Sequence, residues 1–425
     1  MTSSTKAGLL AALFTILAFG GIFAYKIFVP KGTMPPPDYS CDKVVAERLQ
    51  RIAEHYKDSL GKTSICVYDI TVDSLLFAYN AEEALTPASC QKIITTFAAY
   101  DHLAEYNNAF ADSLMAVGDI DKAGNVKGHL FFRGSYDPLL VNFSSFAKAL
   151  KKKGIKMVYG DLVCQLRVHQ KYENADIPHD SLPVLYKGSD EVAGDLRKHL
   201  AKEGIFITGK PMFLNYDSPL PFKLNEPLAD GRSNTTLLHA EGHSLEEIMA
   251  HLMKHSDNRS AEAVFFCLSA NNKASGKDGA GAAIIRESLK KYFPGLTENQ
   301  CRIVDGSGLS YDNKATSRLL VDLLRVSHNY GLLGHFLVDE ALPKSGSTGT
   351  LRSRMKGTPA EGNITAKTGT LPQFPASSLA GYCQSRRGHL LAFSIISNGP
   401  KNRAGYGYVN CAKRFENEFC IEMCR

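Results

Sequence analysis

Three short motifs follow one another along the chain, and their order restricts the possible fold more than any other feature of the sequence. They are Ser89-Cys90-Gln91-Lys92, Ser256-Asp257-Asn258 and Lys367-Thr368-Gly369. Similar residues also occur elsewhere, as at Ser353/Lys356 and Lys344-Ser345-Gly346. A single match is therefore weak, and the sequence around each motif has to decide whether it carries chemistry.

The first motif stands at the predicted start of a helix. Thr86-Pro87-Ala88 is typical of a turn, and the run from Lys92 to Tyr100 is apolar at helical spacing. Unpaired backbone N–H groups at a helix start stabilise a developing oxyanion, and one helical turn places Lys92 on the same face as Ser89. A serine is a weak nucleophile until a neighbouring base takes its proton, and a lysine can be that base only if burial and neighbouring positive charge lower its pKa. The structural alternative is a serine that caps a helix beside a solvated lysine.

The second motif is predicted to lie in a tight turn between two helices. Ser244 and Glu247 form a capping box at the start of an apolar helical face, and another apolar helical run extends from Ala261 to Leu268. Ser, Asp and Asn are favoured in any turn between helices, so a purely structural role is the alternative here.

The third motif follows Asn363-Ile364-Thr365-Ala366, which is predicted to be a strand. Two further strand-like runs, 378–384 and 390–398, are separated by the turn 385–388. Lysine supplies a point charge, threonine a hydroxyl donor, and glycine lets a substrate approach the edge of the strand. A surface strand can also carry these three residues without any function.

Taken in order, the motifs resemble those of the D-alanyl-D-alanine carboxypeptidase/endopeptidase family, the class C penicillin-binding proteins. Asp305-Gly306-Ser307-Gly308-Leu309-Ser310 resembles a loop of that family, and Gly134 with Asp137-Pro138 resembles its G-x-x-D-P segment. Other segments resemble the family's approach to the third motif; they are Leu342-Pro343, Gly349-Thr350-Leu351 and Lys356-Gly357-Thr358.

The resemblance implies catalytic roles at five positions and substrate binding at four more. The catalytic positions are Ser89, Lys92, Ser256, Asn258 and Lys367, and the substrate-binding positions are Thr368, Gly369, Thr370 and Gln165. A D-Ala-D-Ala stem peptide of peptidoglycan would acylate Ser89, with Lys92 as the general base, and water would deacylate it. Ser256 would relay the proton to the leaving amine. Penicillins, which resemble the substrate, would acylate the same serine.

Some of the catalytic positions would also hold the substrate, together with the substrate-binding positions. Asn258 would hold its amide, Lys367 and Thr368 would position its terminal carboxylate, and the backbone N–H groups of Ser89 and Thr370 would form the oxyanion hole. The family tends to place an acid near Gln165 that meets the amino group of the peptide's diamino acid. The neutral residue in this chain predicts only a weak preference for a free amine.

The same resemblance implies an α/β fold, with a serine β-lactamase/transpeptidase-like domain (an antiparallel sheet covered by helices) and an inserted accessory domain. A length of 425 residues also suggests two domains. We assign 41–114 and 236–425 to the catalytic domain and 115–235 to the insertion. Residues 1–30 are predicted to be a signal or membrane anchor, and 31–40 a linker.

The N-terminal segment indicates the compartment. The charge-free apolar stretch from Ala7 to Tyr25 is long enough to span a bilayer, and it could also be a secretory signal cleaved near Ala18-Phe19-Gly20. Its uninterrupted length favours an anchor that holds an exported, periplasmic protein at the cytoplasmic membrane. In such a compartment the 10 cysteines could form disulfides, whose pairing the sequence does not reveal.

Composition excludes several other classes of function. The net charge of +6 comes without a dense run of Lys or Arg, so no nucleic acid is expected as a partner. The 13 histidines lack metal-binding spacing, and Cys420 with Cys424 is too sparse for a zinc site. No metal and no cofactor is predicted. The expected partners are peptidoglycan stem peptides, β-lactam antibiotics as covalent inhibitors, and the membrane through the N-terminal segment.

Two alternatives remain from other classes. A serine β-lactamase would share the three motifs but needs a base for fast deacylation, and the sequence has no convincing E-x-x-N segment for that base. A catalytically relict peptidoglycan-binding protein would not need the intact pair Ser89 and Lys92.

Overall fold

Two β-sheets with helices packed on them organise the fold. The structure is a computed structural model that describes residues 40–103, 110–135, 137–140, 143–166, 189–215, 218–271 and 280–425. The predicted anchor Ala7–Tyr25 lies outside these residues. Among the described residues, no helix is both long and apolar enough to cross a membrane.

The strands in the described ranges are β1 (Lys62–Asp69), β2 (Ser74–Tyr79), β3 (Asp112–Ile120), β4 (Asn125–Arg133), β5 (Met157–Val158), β6 (Leu162–Leu166), β7 (Phe206–Ile207), β8 (Pro211–Asn215), β9 (Thr235–Glu241), β10 (Cys301–Arg302), β11 (Lys314–Ala315), β12 (Ile364–Leu371), β13 (Ala376–Gln384) and β14 (Leu390–Asn398). The α-helices are α1 (Ser40–Leu60), α2 (Gln91–Leu103), α3 (Ser144–Lys152), α4 (Ser189–Lys202), α5 (Leu245–His255), α6 (Asn258–Asn271), α7 (Ala280–Tyr292), α8 (Ser317–Asn329), α9 (Leu332–His335) and α10 (Tyr406–Met423).

The first sheet has the strand order β12-β13-β14-β1-β2, and all its neighbouring strands are antiparallel. The early strands β1 and β2 therefore join the C-terminal strands in one sheet. Along β1, Ile65 and Val67 face a core shared with α1 and α10, whereas Cys66 and Tyr68 face a core shared with α2, α5, α6 and α8. Because both faces are covered, every residue of the strand after Lys62 is buried.

The helix ends follow the predicted capping signals. Ser244 accepts a hydrogen bond from the Glu247 N–H at 3.1 Å, and the Glu247 carboxylate accepts one from the Ser244 N–H at 2.7 Å. This reciprocal pair confirms the capping box at the start of α5. Asp257 caps α6 by accepting from the Ser260 N–H at 2.8 Å. The second motif thus lies at the break between α5 and α6, as predicted.

The second sheet has the order β7-β5-β4-β3-β9, and β6 pairs with both β4 and β8. Its own apolar core joins Phe132 on β4 to Phe146 on α3 and Leu196 on α4. The sheet begins with β3 and ends with β9, so it brackets the predicted insertion 115–235. Because Val45–Arg425 forms one compact unit, the division into a catalytic and an accessory domain stays a prediction.

Candidate active site

Ser89 lies in a 3₁₀ turn that leads into α2. The turn spans Ala88–Cys90 and is closed by a hydrogen bond from the Cys90 N–H to the Pro87 carbonyl at 3.1 Å. Ala88 takes a left-handed backbone conformation, with a φ of 48°, which is uncommon for a residue with a Cβ atom. The turn leaves Ser89 partly exposed while its neighbours are buried, so a hydroxyl group is presented just ahead of the helix, as predicted.

The side chain of Lys92 is fully buried, and its Nζ atom contacts three oxygens. The distances are 2.9 Å to Ser89 Oγ, 2.8 Å to Asn258 Oδ1 and 2.6 Å to the Ser307 carbonyl. The amide and carbonyl oxygens can only accept, so they take two N–H groups of the amine. In a neutral lysine the nitrogen lone pair then faces the Ser89 hydroxyl, which is the arrangement that a general base requires.

The surroundings of Lys92 shift its proton affinity. Burial lowers the pKa of Lys92 to about 8, against the opposing effect of the negative charges on Asp305, Glu262 and Asp257. The lysine can therefore lose its proton near neutral pH.

Lys367 is a second fully buried lysine, and it joins the third motif to the second. Its Nζ atom donates to Ser256 Oγ and to the Thr368 carbonyl, at 2.7 Å each. Ser256 ends α5 with a left-handed φ of 58°. Burial, followed by repulsion from Lys92, holds the pKa of Lys367 well below its usual value.

Gly369 brings β12 close to the Ser89 turn. A Cβ atom at this glycine would lie 2.9 Å from the Ser89 nitrogen and 2.2 Å from the Ser378 hydroxyl oxygen, which is too close in both cases. Ser378 pairs with Gly369 and donates to the Pro87 carbonyl at 2.6 Å. The approach of a substrate to this glycine stays a prediction, and the structure shows in addition that the protein's own backbone requires a glycine here.

The residues beside Gly369 complete the strand. Thr368 is hydrogen-bonded through its hydroxyl to Thr350 Oγ1 at 2.8 Å, and the latter lies in the 3₁₀ turn Gly349–Leu351. Thr370 is partly exposed and pairs with Ser377 on β13. The motif therefore lies inside β12, which continues beyond it to Leu371.

Glu262 belongs to this site, although the sequence analysis did not single it out. It is buried on α6, one helical turn after Asn258, and it accepts a hydrogen bond from the Ser307 N–H at 2.9 Å. The carbonyl of Ser307 in turn contacts Lys92. Burial, and then the nearby charge of Asp305, raises the pKa of Glu262. The sequence held one signal that could have identified Glu262 as a site residue: a carboxylate one helical turn after Asn258, within an apolar helical run.

Asp305 holds the loop that carries Ser307. Its buried carboxylate accepts hydrogen bonds from the N–H groups of Gly308 and Ser310 at 2.6 Å each. Gly308 has a φ of 84°, and a Cβ atom there would lie 1.9 Å from the Ala88 carbonyl oxygen. This loop therefore packs directly against the Ser89 turn, and only glycine fits at the contact.

Gln165 lies apart from the three motifs in the strand order, on β6 of the second sheet. It is buried, and its Nε2 atom donates to the Ser218 carbonyl at 3.0 Å. The nearby Asp161 accepts a hydrogen bond from the Lys210 N–H at 2.8 Å. A role of Gln165 in substrate binding stays a prediction.

Comparison with known proteins then decides the family. A family model described as the D-Ala-D-Ala carboxypeptidase 3 (S13) family matches residues 46–193 and 223–416, which are more than half of the chain and include all three motifs. The chain belongs to the S13 family. This confirms the resemblance that the motifs indicated.

An individual relative agrees with this assignment. The D-alanyl-D-alanine carboxypeptidase of Actinomadura sp. (strain R39) is 33% identical over 233 residues, covering 52% of this chain and 40% of that protein. The chain thus aligns with less than half of that relative's length.

Two solved structures are similar in fold. Penicillin-binding protein 4 from Haemophilus influenzae, complexed with a β-lactam, has a TM-score of 0.68 and 21% identity, covering 89% of this chain and 99% of that one. A predatory peptidoglycan endopeptidase from Bdellovibrio bacteriovorus has a TM-score of 0.60 and 16% identity, covering 85% and 92%. These likenesses confirm the predicted transpeptidase-like fold.

In this S13 protein, five side chains from distant parts of the sequence form two hydrogen-bonded groups at the motifs. Lys92 joins Ser89 and Asn258, and Lys367 joins Ser256. The Cys90 thiol donates to the Lys367 carbonyl at 3.2 Å, which links the two groups through the backbone of β12. The arrangement places the Ser89 hydroxyl beside one buried amine and the Ser256 hydroxyl beside a second.

Proposed function

We propose that this S13 protein is a serine-type D-Ala-D-Ala carboxypeptidase/endopeptidase that cleaves peptidoglycan stem peptides through an acyl-enzyme and is inhibited by penicillins. One observation carries the proposal: the Nζ atom of Lys92 lies 2.9 Å from Ser89 Oγ, with its other two contacts made to pure acceptors. Family membership supports the same reaction.

In the acylation step, Ser89 Oγ forms a bond to the carbonyl carbon of the penultimate D-alanine, and its proton passes to Lys92. The backbone N–H groups of Ser89 and Thr370 stabilise the oxyanion. Collapse of the intermediate breaks the C–N bond, and the leaving amine takes the proton that Lys92 had accepted, relayed through Ser256, so that Lys92 becomes neutral again. Water then attacks the ester with Lys92 again as the base, which releases the shortened peptide and restores the serine.

Substrate binding would use the third motif and Asn258. The terminal carboxylate of the peptide contacts Lys367 and Thr368, while Asn258 holds an amide of the peptide. An opposite charge close to a buried lysine favours its ammonium form. Binding of the carboxylate therefore opposes the effect of burial and raises the pKa of Lys367.

We infer also that the protein is exported and periplasmic, with residues 1–30 holding it at the cytoplasmic membrane. The charge-free run Ala7–Tyr25 supports the anchor. N-terminal sequencing of the protein from cells tests this point, because a mature chain that begins near Gly21 would indicate a cleaved signal.

Residues 115–235 are proposed to form the accessory domain beside the catalytic one.

The central test is intact-mass measurement after incubation with a penicillin. We expect one covalent adduct, mapped to the peptide that contains Ser89, and no adduct in Ser89→Ala. The matched control is Ser353→Ala, since Ser353 with Lys356 has the same spacing and is exposed. An adduct that persists in Ser89→Ala would refute the assignment of Ser89 as the nucleophile.

Release of D-alanine from purified muropeptides then separates carboxypeptidase from cross-link-cleaving activity. Rapid hydrolysis of penicillin would indicate a β-lactamase.

A further inference from the structure

Two buried thiols meet where the end of α10 reaches β13. The Sγ atoms of Cys383, on β13, and Cys424, directly after α10, lie 3.4 Å apart. Both residues are almost inaccessible to solvent, with 0% and 3% of their surface exposed. We propose that Cys383 and Cys424 form a disulfide in the mature protein, which covalently ties α10 to the catalytic sheet.

The geometry favours this pair over other cysteines in the described part of the chain. The described cysteines are Cys66, Cys90, Cys164, Cys267, Cys301, Cys383, Cys411, Cys420 and Cys424. A disulfide needs sulfurs at about 2 Å, so the two Sγ atoms of Cys383 and Cys424 must approach by a little more than 1 Å. Cys420 lies one helical turn before Cys424 in the same core and is the competing partner.

The chemistry depends on the compartment and therefore rests on the proposed export of this protein. Disulfides form and persist in oxidising compartments such as the periplasm. The oxidant is a disulfide, either a small molecule or an oxidising protein. One cysteine thiolate attacks it and forms a mixed disulfide, and the second thiolate displaces the remaining thiol. The chain loses two protons and two electrons, and the oxidant is reduced to two thiols.

Burial determines when this exchange can occur. The hydrogen bond between the two thiols, together with burial, raises the pKa of Cys383 well above its usual value. The thiolate, which is the reacting species, is therefore scarce in the folded protein. The folded protein therefore reacts slowly, and oxidation takes place during folding, before α10 packs against the sheet.

The bond would act on stability rather than on catalysis. In the pairing of β12 with β13, Cys383 lies opposite Ile364, at the end of β12 away from Leu371, and Lys367 lies opposite Ala380. The thiols also belong to the core shared with α1 and α10, which lies on the face of the sheet opposite to α2. Cross-linking residues 41 positions apart removes conformational entropy from the unfolded chain.

The test counts thiols in the full-length chain after refolding from denaturant in a glutathione redox buffer. We expect two of the 10 cysteines to resist alkylation in denaturant until a reductant is added, and peptide mapping to identify them as Cys383 and Cys424. In Cys383→Ser all remaining thiols should alkylate. In the matched control Cys267→Ser, which changes a buried thiol in the other core, two should still be protected.

A second readout is the melting temperature. We expect the oxidised protein to melt about 5 °C or more above the reduced one, a difference that Cys383→Ser abolishes, while penicillin acylation is the same in both redox states. Alkylation of all thiols without a reductant, or a mapped bond to Cys420, would overturn the proposal. Neither thiol counting nor melting needs catalytic activity, so this inference can fail while the proposed function holds, and the reverse.

Discussion

The Nζ atom of Lys367 lies 2.7 Å from Ser256 Oγ, although 111 positions separate the two residues in the sequence. The lysine comes from β12 and the serine from the end of α5, so the contact exists only when sheet and helices are packed together. Lys367 also lies next to the Ser89 turn, because its carbonyl accepts a hydrogen bond from the Cys90 thiol. The proposed relay of a proton to the leaving amine through Ser256 uses this pair.

Ser256→Ala should impair cleavage of a peptide substrate more than cleavage of a thioester analogue. A peptide has to expel an amine, which needs a proton, whereas a thiolate leaves without one. We expect kcat/KM for the peptide to fall about a hundredfold, on the scale of a lost proton-transfer group, and the thioester rate to change by less than about tenfold. Equal losses for both substrates would show that Ser256 binds the substrate and does not relay a proton.

Lys92→Arg should nearly abolish acylation by penicillin. Arginine keeps the positive charge but cannot accept a proton at working pH, so the rate should fall by roughly two orders of magnitude or more. The control is Lys356→Arg, which alters an exposed lysine of the same S-x-x-K spacing. A melting curve shows whether the buried Lys92→Arg substitution is folded, and a folded variant with a near-normal rate would exclude Lys92 as the base.

The rate of penicillin acylation should rise with pH around the pKa of Lys92, which burial lowers to about 8. Below that pH the amine is protonated and has no lone pair for the Ser89 proton, so the rate should fall about tenfold for each unit of pH. Above it the rate should level off. Stopped-flow acylation between pH 6 and 10 measures the midpoint, and a flat profile over this range would contradict a lysine base.

Glu262→Gln should move that midpoint to lower pH. In its ionised form Glu262 raises the pKa of Lys92, and glutamine cannot ionise while its amide oxygen still accepts the Ser307 N–H. The exposed Glu246→Gln on α5 is the matched control and should leave the profile unchanged. If Glu262→Gln titrates like the unmodified enzyme, the carboxyl group has no electrostatic role in tuning the base.

The unmodified enzyme should show only a weak preference for stem peptides with a free side-chain amine. A carboxylate facing that amine would contribute a charge-assisted hydrogen bond worth about 1.5–3 kcal/mol, whereas Gln165 is neutral and already donates to the Ser218 carbonyl. The measurement compares kcat/KM for free-amine and N-acetylated peptides, with an expected ratio below about tenfold. A much larger ratio would indicate another acid, for which Asp161 is the first residue to substitute.

Local sequence was sufficient for much of the fold and for most of the site. The capping box at Ser244, the turn before Ser89 and the strand that carries Lys367 were each predicted from a few neighbouring residues, because caps, turns and strand patterns depend on near neighbours. The order of the three motifs then indicated a family whose fold brings them together. No local pattern, however, specified the distance between Lys92 and Asn258 or the full burial of both lysines.

Tertiary structure decided the features that depend on residues distant in the chain. Glu262 is linked to Lys92 through Ser307, whose N–H donates to the carboxylate and whose carbonyl accepts from the amine. Gly369 is required by the backbone of the Ser89 turn, and Cys383 meets Cys424 across a sheet and a helix. Each of these contacts forms only when separate elements pack. The lowered pKa of Lys92 has the same origin, since desolvation is the combined effect of every side chain that excludes water from the amine. The sequence alone thus determined which groups are available for the reaction, and packing determined which of them meet and in which protonation state.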